Sequence, residues 1–308
     1  MFKAIICIII CILCKFPPIF STNDYEGDSE RPSNHGCDVC GAPNSPPANS
    51  FQAGKKIMNG KRLNNLAKYP WIVNLIDEED NQFVFCGGVI ISPSFILTAA
   101  HCLEDVEKTK DIKCQETDAL DECFVKPSRI TVSVPYDRKD MVEKKVKRLI
   151  PHPNYDLVTK VHDIALIQLQ DPLRCRKMVS PICLPNKRLD RVGMQLIIAG
   201  WGLYDKRRKD TKEKLHEGKV IQVNERKCRY PESRERLIIC AGGMETDQAS
   251  CQGDSGSAIF KKFGENFFVL GITERFTQAQ FWLRRNMLHN EFDCKCLTWE
   301  TLLENHLK

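Results

Sequence analysis

Hydrophobic positions in this chain gather in short runs, rich in β-branched and aromatic side chains and separated by turn residues. Residues 70–75 (Pro-Trp-Ile-Val-Asn-Leu), 83–97, 129–134, 142–150, 164–169 and 196–202 each predict short strands. Many short strands at regular spacing indicate an all-β sandwich or barrel. No internal repeat is visible. Three stretches depart from the pattern. Residues 22–54 are rich in Asn, Ser, Pro and Gly with almost no apolar periodicity, which predicts a linker or pro-segment. Residues 104–122 are charged and read as an extended surface loop, with a calcium-binding loop as the functional alternative. Residues 277–308 are Gln-rich and charged, and 297–307 are compatible with a final helix.

The opening stretch changes the compartment. Residues 1–21 carry Lys3, an apolar run over 4–13 and a small residue at Ser21, the pattern of a secretory signal peptide. No later stretch approaches the roughly 18 apolar residues of a membrane span, so a soluble, secreted protein without a membrane partner is expected. At 308 residues, 42% hydrophobic and 28% charged, the chain can bury a full core as one or two domains. A net charge of +5 is small for this length and does not argue for nucleic acid. Basic runs at 144–148 and 206–209 are interleaved with acids, so they read as solvated loops rather than polyanion sites. Sixteen cysteines fit export, because an oxidising compartment lets disulfides persist. Cys37 and Cys40 are spaced as a redox or metal pair, yet in a secreted segment without a matching His cluster they fit a disulfide tether better.

The candidate chemistry centres on Ser250-Cys251-Gln252-Gly253-Asp254-Ser255-Gly256-Ser257. Alone, Gly-Asp-Ser-Gly is a common turn composition. Its weight comes from Thr98-Ala99-Ala100-His101-Cys102, at the end of an apolar run, and from Asp163, at the mouth of the strand 164–169. A serine hydroxyl is a poor nucleophile at neutral pH and needs a base, which in turn needs an orienting partner. The order His, Asp, Ser is one that nucleophilic triads adopt. Together with Ile57-Met58-Asn59-Gly60, these segments resemble the trypsin/chymotrypsin family of serine proteases over residues 57–276.

The resemblance implies two six-stranded antiparallel β-barrels packed face to face, with the active site in the cleft between them. It implies a secreted serine endopeptidase acting on a peptide or protein substrate and needing no cofactor or metal. His101 would be general base and acid, Asp163 its orienting partner, and Ser255 the nucleophile. The N–H groups of Gly253 and Ser255 would form the oxyanion hole. Residues 22–56 would be a pro-segment, cut after Lys56 by an upstream activating protease. The freed ammonium of Ile57 would then pair with Asp254 and order the adjoining loop. A protease inhibitor is a further expected partner. The implied disulfides join Cys86 to Cys102, Cys228 to Cys240, and Cys40 to Cys183. Another family bridge is missing at both ends, where Leu196 and Lys261 stand.

The specificity pocket departs from the family. Ala249 stands where trypsin-like members carry an aspartate, so a Lys or Arg side chain would be buried unpaired and is not the expected target. Glu274-Arg275-Phe276 stands where the family has Ser-Trp-Gly, which by the resemblance would set a second carboxylate against Asp163 and an aromatic ring at the pocket mouth. Ser257-Ala258 replaces Gly-Pro, and the partner of Cys251 stays open between Cys294 and Cys296. These departures keep a second reading in view: a catalytically impaired homologue acting as a binding or regulatory protein.

Overall fold

The computed structural model describes residues 39–43, 61–79, 83–115, 121–136, 139–175, 179–201, 215–224, 238–242, 254–273 and 295–298. All fall within one compact unit, Asn34–Lys308. The expected leader, most of the pro-segment, and the calls on Lys56, Ile57, Cys228, Ala249, Cys251, Gly253, Cys294 and 274–276 lie outside these residues.

Among the described residues, regular structure is strand, broken by short 3-10 turns. A two-residue strand, β1 (Lys61–Arg62), precedes two groups of six. The first group is β2 (Ile72–Asp77), β3 (Phe83–Ser92), β4 (Phe95–Thr98), β5 (Ile130–Pro135), β6 (Met141–Pro151) and β7 (Ala165–Leu169). They close into an antiparallel barrel in the order β2-β3-β4-β7-β6-β5. The second is β8 (Gln195–Gly200), β9 (His216–Val223), β10 (Ile238–Gly242), β11 (Ala258–Phe263), β12 (Asn266–Thr273) and β13 (Lys295–Thr298). Here β9-β10-β13-β12-β11-β8 forms a chain of pairings that the β8–β9 ladder closes on itself, with β1 added on β9. The all-β architecture of two six-stranded antiparallel barrels is the expected one.

Closure explains the burial pattern. In a small barrel, alternate residues fill the interior. Accordingly Ala165, Ile167 and Leu169 of β7 are buried, while Leu166 and Gln168 are not. Barrel two encloses Leu196, Ile198, Val220, Ile239, Ala241, Ile259 and Leu270. Strand β2 is buried on both faces along most of its length, and the two barrels meet just before it. At that seam Tyr69 and Trp71, just before β2, interleave with Phe260 of β11 and Phe267 of β12 at centroid distances of 4.9 to 5.9 Å, mostly edge to face. Each such ring contributes roughly 1.5–3 kcal/mol on burial.

Three disulfides add covalent ties: Cys40–Cys183, Cys86–Cys102 and Cys114–Cys123. The last staples the charged loop after His101 on itself. Cys240 and Cys175 are also disulfide-bonded, to partners outside the described residues. Where the family's other bridge is missing, the β8–β11 register (Ile259 opposite Ile198, Phe260 opposite Ile197) carries Lys261 toward Leu196. Lys261 donates from Nζ to the Gln195 carbonyl at 2.8 Å.

One expectation is corrected. Leu297 and Thr298 are not the first turn of a helix; they belong to β13, pairing with Ile239 and Ile238 of β10. The open edges of β10 and β12 satisfy their backbone groups with an extended partner, which overrides the helical pattern of so short a segment.

Candidate active site

His101 sits in a 3-10 turn, Ala100–Leu103, directly after β4. Ala99 and Ala100 are wholly buried, so the turn packs close against the core, and the imidazole side chain is itself only 7% exposed. Asp163 precedes β7 and is 0% exposed. The two are joined twice. The backbone N–H of His101 donates to Asp163 Oδ1 at 2.8 Å, and Nδ1 lies 2.6 Å from Oδ2. A carboxylate accepts only, so Nδ1 carries the proton and Nε2 becomes the basic nitrogen.

The loop entering Asp163 is held in an unusual backbone conformation. Lys160 (φ 56°) and His162 (φ 60°) both lie in the left-handed region. Several contacts hold it there. Asp156 Oδ1 accepts the N–H groups of Val158 and Thr159 at 2.9 and 2.8 Å. The Tyr155 hydroxyl donates to Glu104, which also pairs with the Lys160 ammonium. The rings of His152 and His162 stack at 4.7 Å. Burial, and then the charge of His162, pushes His152 down to about 4, and burial lowers His162 as well.

Ser255 lies in the turn before β11. Its carbonyl accepts the Gly87 N–H at 2.7 Å, and Gly256 N–H donates to the Thr273 carbonyl at 2.9 Å. Gly256 has φ +76°, and a Cβ there would overlap the Gly87 carbonyl and Thr98 hydroxyl and lie 3.2 Å from Cys102 Sγ. Only glycine fits so close an approach. That sulfur is 3.8 Å from His101 Nε2, so one disulfide carries histidine on one side and the serine turn on the other. Asp254 is buried, its Oδ1 filling the space where a Cβ on Gly200 would project.

Cys86, His101 and Cys102 gather their ligand atoms within 4.8 Å of one another. The two sulfurs are joined to each other, which leaves one imidazole nitrogen and no metal site. The arrangement offers an oriented base beside a fixed serine turn. The family model described as Trypsin matches residues 57–278.

The chain belongs to the trypsin family. Among curated relatives, this trypsin-family chain is 28% identical over 239 residues to vitamin K-dependent protein C of Rattus norvegicus, covering 74% of this chain and 47% of the relative. It is 28% identical over 230 residues to the protein of the same name from Oryctolagus cuniculus, covering 70% and 46%. The chain thus spans about half the length of the curated relatives it matches.

Of the residues singled out from sequence, His101, Asp163, Asp254 and Ser255 lie within the described part, and the first two are in direct contact. Glu104, Tyr155 and Lys160, which steady the Asp163 loop, gave no signal in the sequence of this trypsin-family member. They are ordinary surface residue types that meet only in the fold.

Proposed function

We propose that this protein is a secreted serine endopeptidase, synthesised as a zymogen and activated by cleavage after Lys56. The double contact between His101 and Asp163 carries the reading, because it presets the tautomer a general base requires. Ser255 attacks the scissile carbonyl while His101 Nε2 takes its proton. Asp163 stabilises the imidazolium that results. The N–H groups of Gly253 and Ser255 receive the developing oxyanion, each donor contributing about 3 kcal/mol to transition-state stabilisation. His101 then returns the proton to the leaving amine, and water releases the acyl group by the same route. This division of labour is the one known for the family.

Activation follows from electrostatics. A buried carboxylate such as Asp254 needs a cationic partner, and the Ile57 ammonium created by the cut supplies one. Ala249 in place of the family's aspartate favours a small or apolar residue before the scissile bond. The enzyme therefore does not cut after its own Lys56, and a separate protease activates it. The disulfides support an oxidising, extracellular setting.

Glu274-Arg275-Phe276, in place of Ser-Trp-Gly, favours the second reading of an impaired homologue that binds partners. A fluorophosphonate probe separates the two. Labelling of cleaved protein that disappears in Ser255→Ala is expected of the enzyme. Absence of labelling in folded, cleaved material leaves the regulatory scaffold.

A further inference from the structure

Three metal-ligating side chains meet beside the serine turn. Cys86 of β3, His101 and Cys102 bring their ligand atoms within 4.8 Å of one another, and Cys102 Sγ lies 3.8 Å from His101 Nε2. All three are largely withdrawn from solvent. While the two sulfurs are joined to each other they are poor ligands. Opening that bridge changes the donor set.

Two thiolates and an imidazole form a ligand set that zinc takes, at about 2.3 Å to sulfur and about 2.0 Å to nitrogen. Tetrahedral angles then place sulfur about 3.6 Å from nitrogen and the two sulfurs about 3.8 Å apart. The Cys102–His101 spacing is already close to this. The Cα atoms of Cys86 and Cys102 are 6.1 Å apart, so rotation about the side-chain bonds is enough to part the freed sulfurs. His101 and Cys102 are neighbours in one 3-10 turn and Cys86 sits in a barrel strand, so the backbone holds the ligands together. The histidine is also supported from behind. Its Nδ1 lies 2.6 Å from the buried Asp163 carboxylate, which accepts the His101 backbone N–H as well. A carboxylate behind a ligating histidine fixes the tautomer that turns the other nitrogen to a metal.

We propose that reduction of the Cys86–Cys102 bridge converts it into a zinc site, formed by the two thiolates and His101 Nε2 with a fourth position left for water. The step balances. A dithiol gives the bridge two electrons and two protons and becomes a disulfide itself, and zinc then displaces the two thiol protons. Zinc on Nε2 occupies the lone pair that takes the serine proton, so the metal-bound state is inactive. That consequence rests on the serine endopeptidase reading, whereas the site itself does not. Oxidation therefore does two things at once: it ties the turn to β3 and frees the base.

The test uses cobalt(II), whose bonds to thiolate give characteristic absorption bands. The full chain is reduced in metal-free buffer with a water-soluble phosphine, which leaves as its oxide, and is then titrated with cobalt. Wild type is expected to bind one equivalent more than Cys86→Ser/Cys102→Ser, with tetrahedral thiolate bands that the double variant lacks. Zinc should displace that cobalt. Asp163→Asn should weaken the binding by about tenfold or more, an effect that an unfolded chain does not show. Equal spectra in wild type and double variant, or no effect of Asp163→Asn, overturns the proposal. Loss of strand circular dichroism in the reduced chain even with metal overturns it too, because the ligands then no longer meet. Fluorophosphonate labelling of cleaved protein supplies the second arm. Zinc should slow labelling of the reduced wild type by at least about a hundredfold, since the base is lost, and should spare the reduced double variant. If the oxidised, cleaved chain does not label at all, the endopeptidase reading fails alone, and the cobalt spectra still decide the site.

Discussion

Glu104 accepts a hydrogen bond from Tyr155 and pairs with Lys160, tying the loop that leaves His101 to the loop that enters Asp163. Tyr155 is wholly buried, and Glu104 accepts from its phenol. Glu104→Ala is expected to cost about 1–3 kcal/mol of stability by urea unfolding. It should also lower kcat/KM by about tenfold, since small displacements of a triad member are costly. Glu104→Gln keeps an acceptor and should lose clearly less of both.

Asp163→Asn preserves shape but removes the charge and favours the wrong histidine tautomer. A fall in kcat of about four orders of magnitude is expected, the figure typical of this family's triad. Unfolding midpoints near those of the wild type would assign the loss to chemistry rather than to folding.

His152 gives a pH dependence of stability. Its folded value is about 4 against an ordinary 6.5, because burial and the neighbouring His162 disfavour its charged form. Above pH 6.5 both folded and unfolded chains hold it neutral, and it contributes no slope. As pH falls from 6.5 to 4, the unfolded chain takes up a proton that the folded chain refuses, so stability drops. Below 4 the contribution levels off. For a half-buried ring, solvent screening limits the drop to about 1–2 kcal/mol. Urea midpoints at pH 7.5 and 4.5 should differ accordingly, and His152→Asn should reduce the difference.

Gly87 and Ser257 share one space, and substitution there should be coupled. Gly87→Ala alone forces a methyl onto the Ser257 hydroxyl and is expected to cost about 1–3 kcal/mol. In a Ser257→Gly background the same change should cost less. A double-mutant cycle with a coupling energy near zero would show that the two positions are independent.

Much of barrel one was legible, because its strands are runs of Ile, Val, Leu and Phe broken by turn residues. His101, Asp163 and Ser255 were legible because each sits in a short local pattern. The Glu104 network was not, since Tyr155 and Lys160 lie 51 and 56 residues away and are unremarkable side chains in sequence. Strand β13 was misread for a related reason. Lys295-Cys296-Leu297-Thr298 is too short to carry a periodicity, and its conformation is set by the edges of β10 and β12. The crowding at Ser257 was not legible either, because Gly87 and Gly200 arrive beside it from two barrels.

The short segment around Cys40 is anchored by more than sulfur. Gly41 exchanges backbone hydrogen bonds with Pro181 and Phe267, at 2.8 Å each, beside the Cys40–Cys183 bridge. A backbone scission anywhere between positions 44 and 60 would therefore yield two polypeptides that travel as one particle. They would migrate together on a non-reducing gel and part only when a thiol is added. Whatever the upstream piece recognises would stay leashed to the two barrels after such a cut, which would free a new chain end without releasing either part.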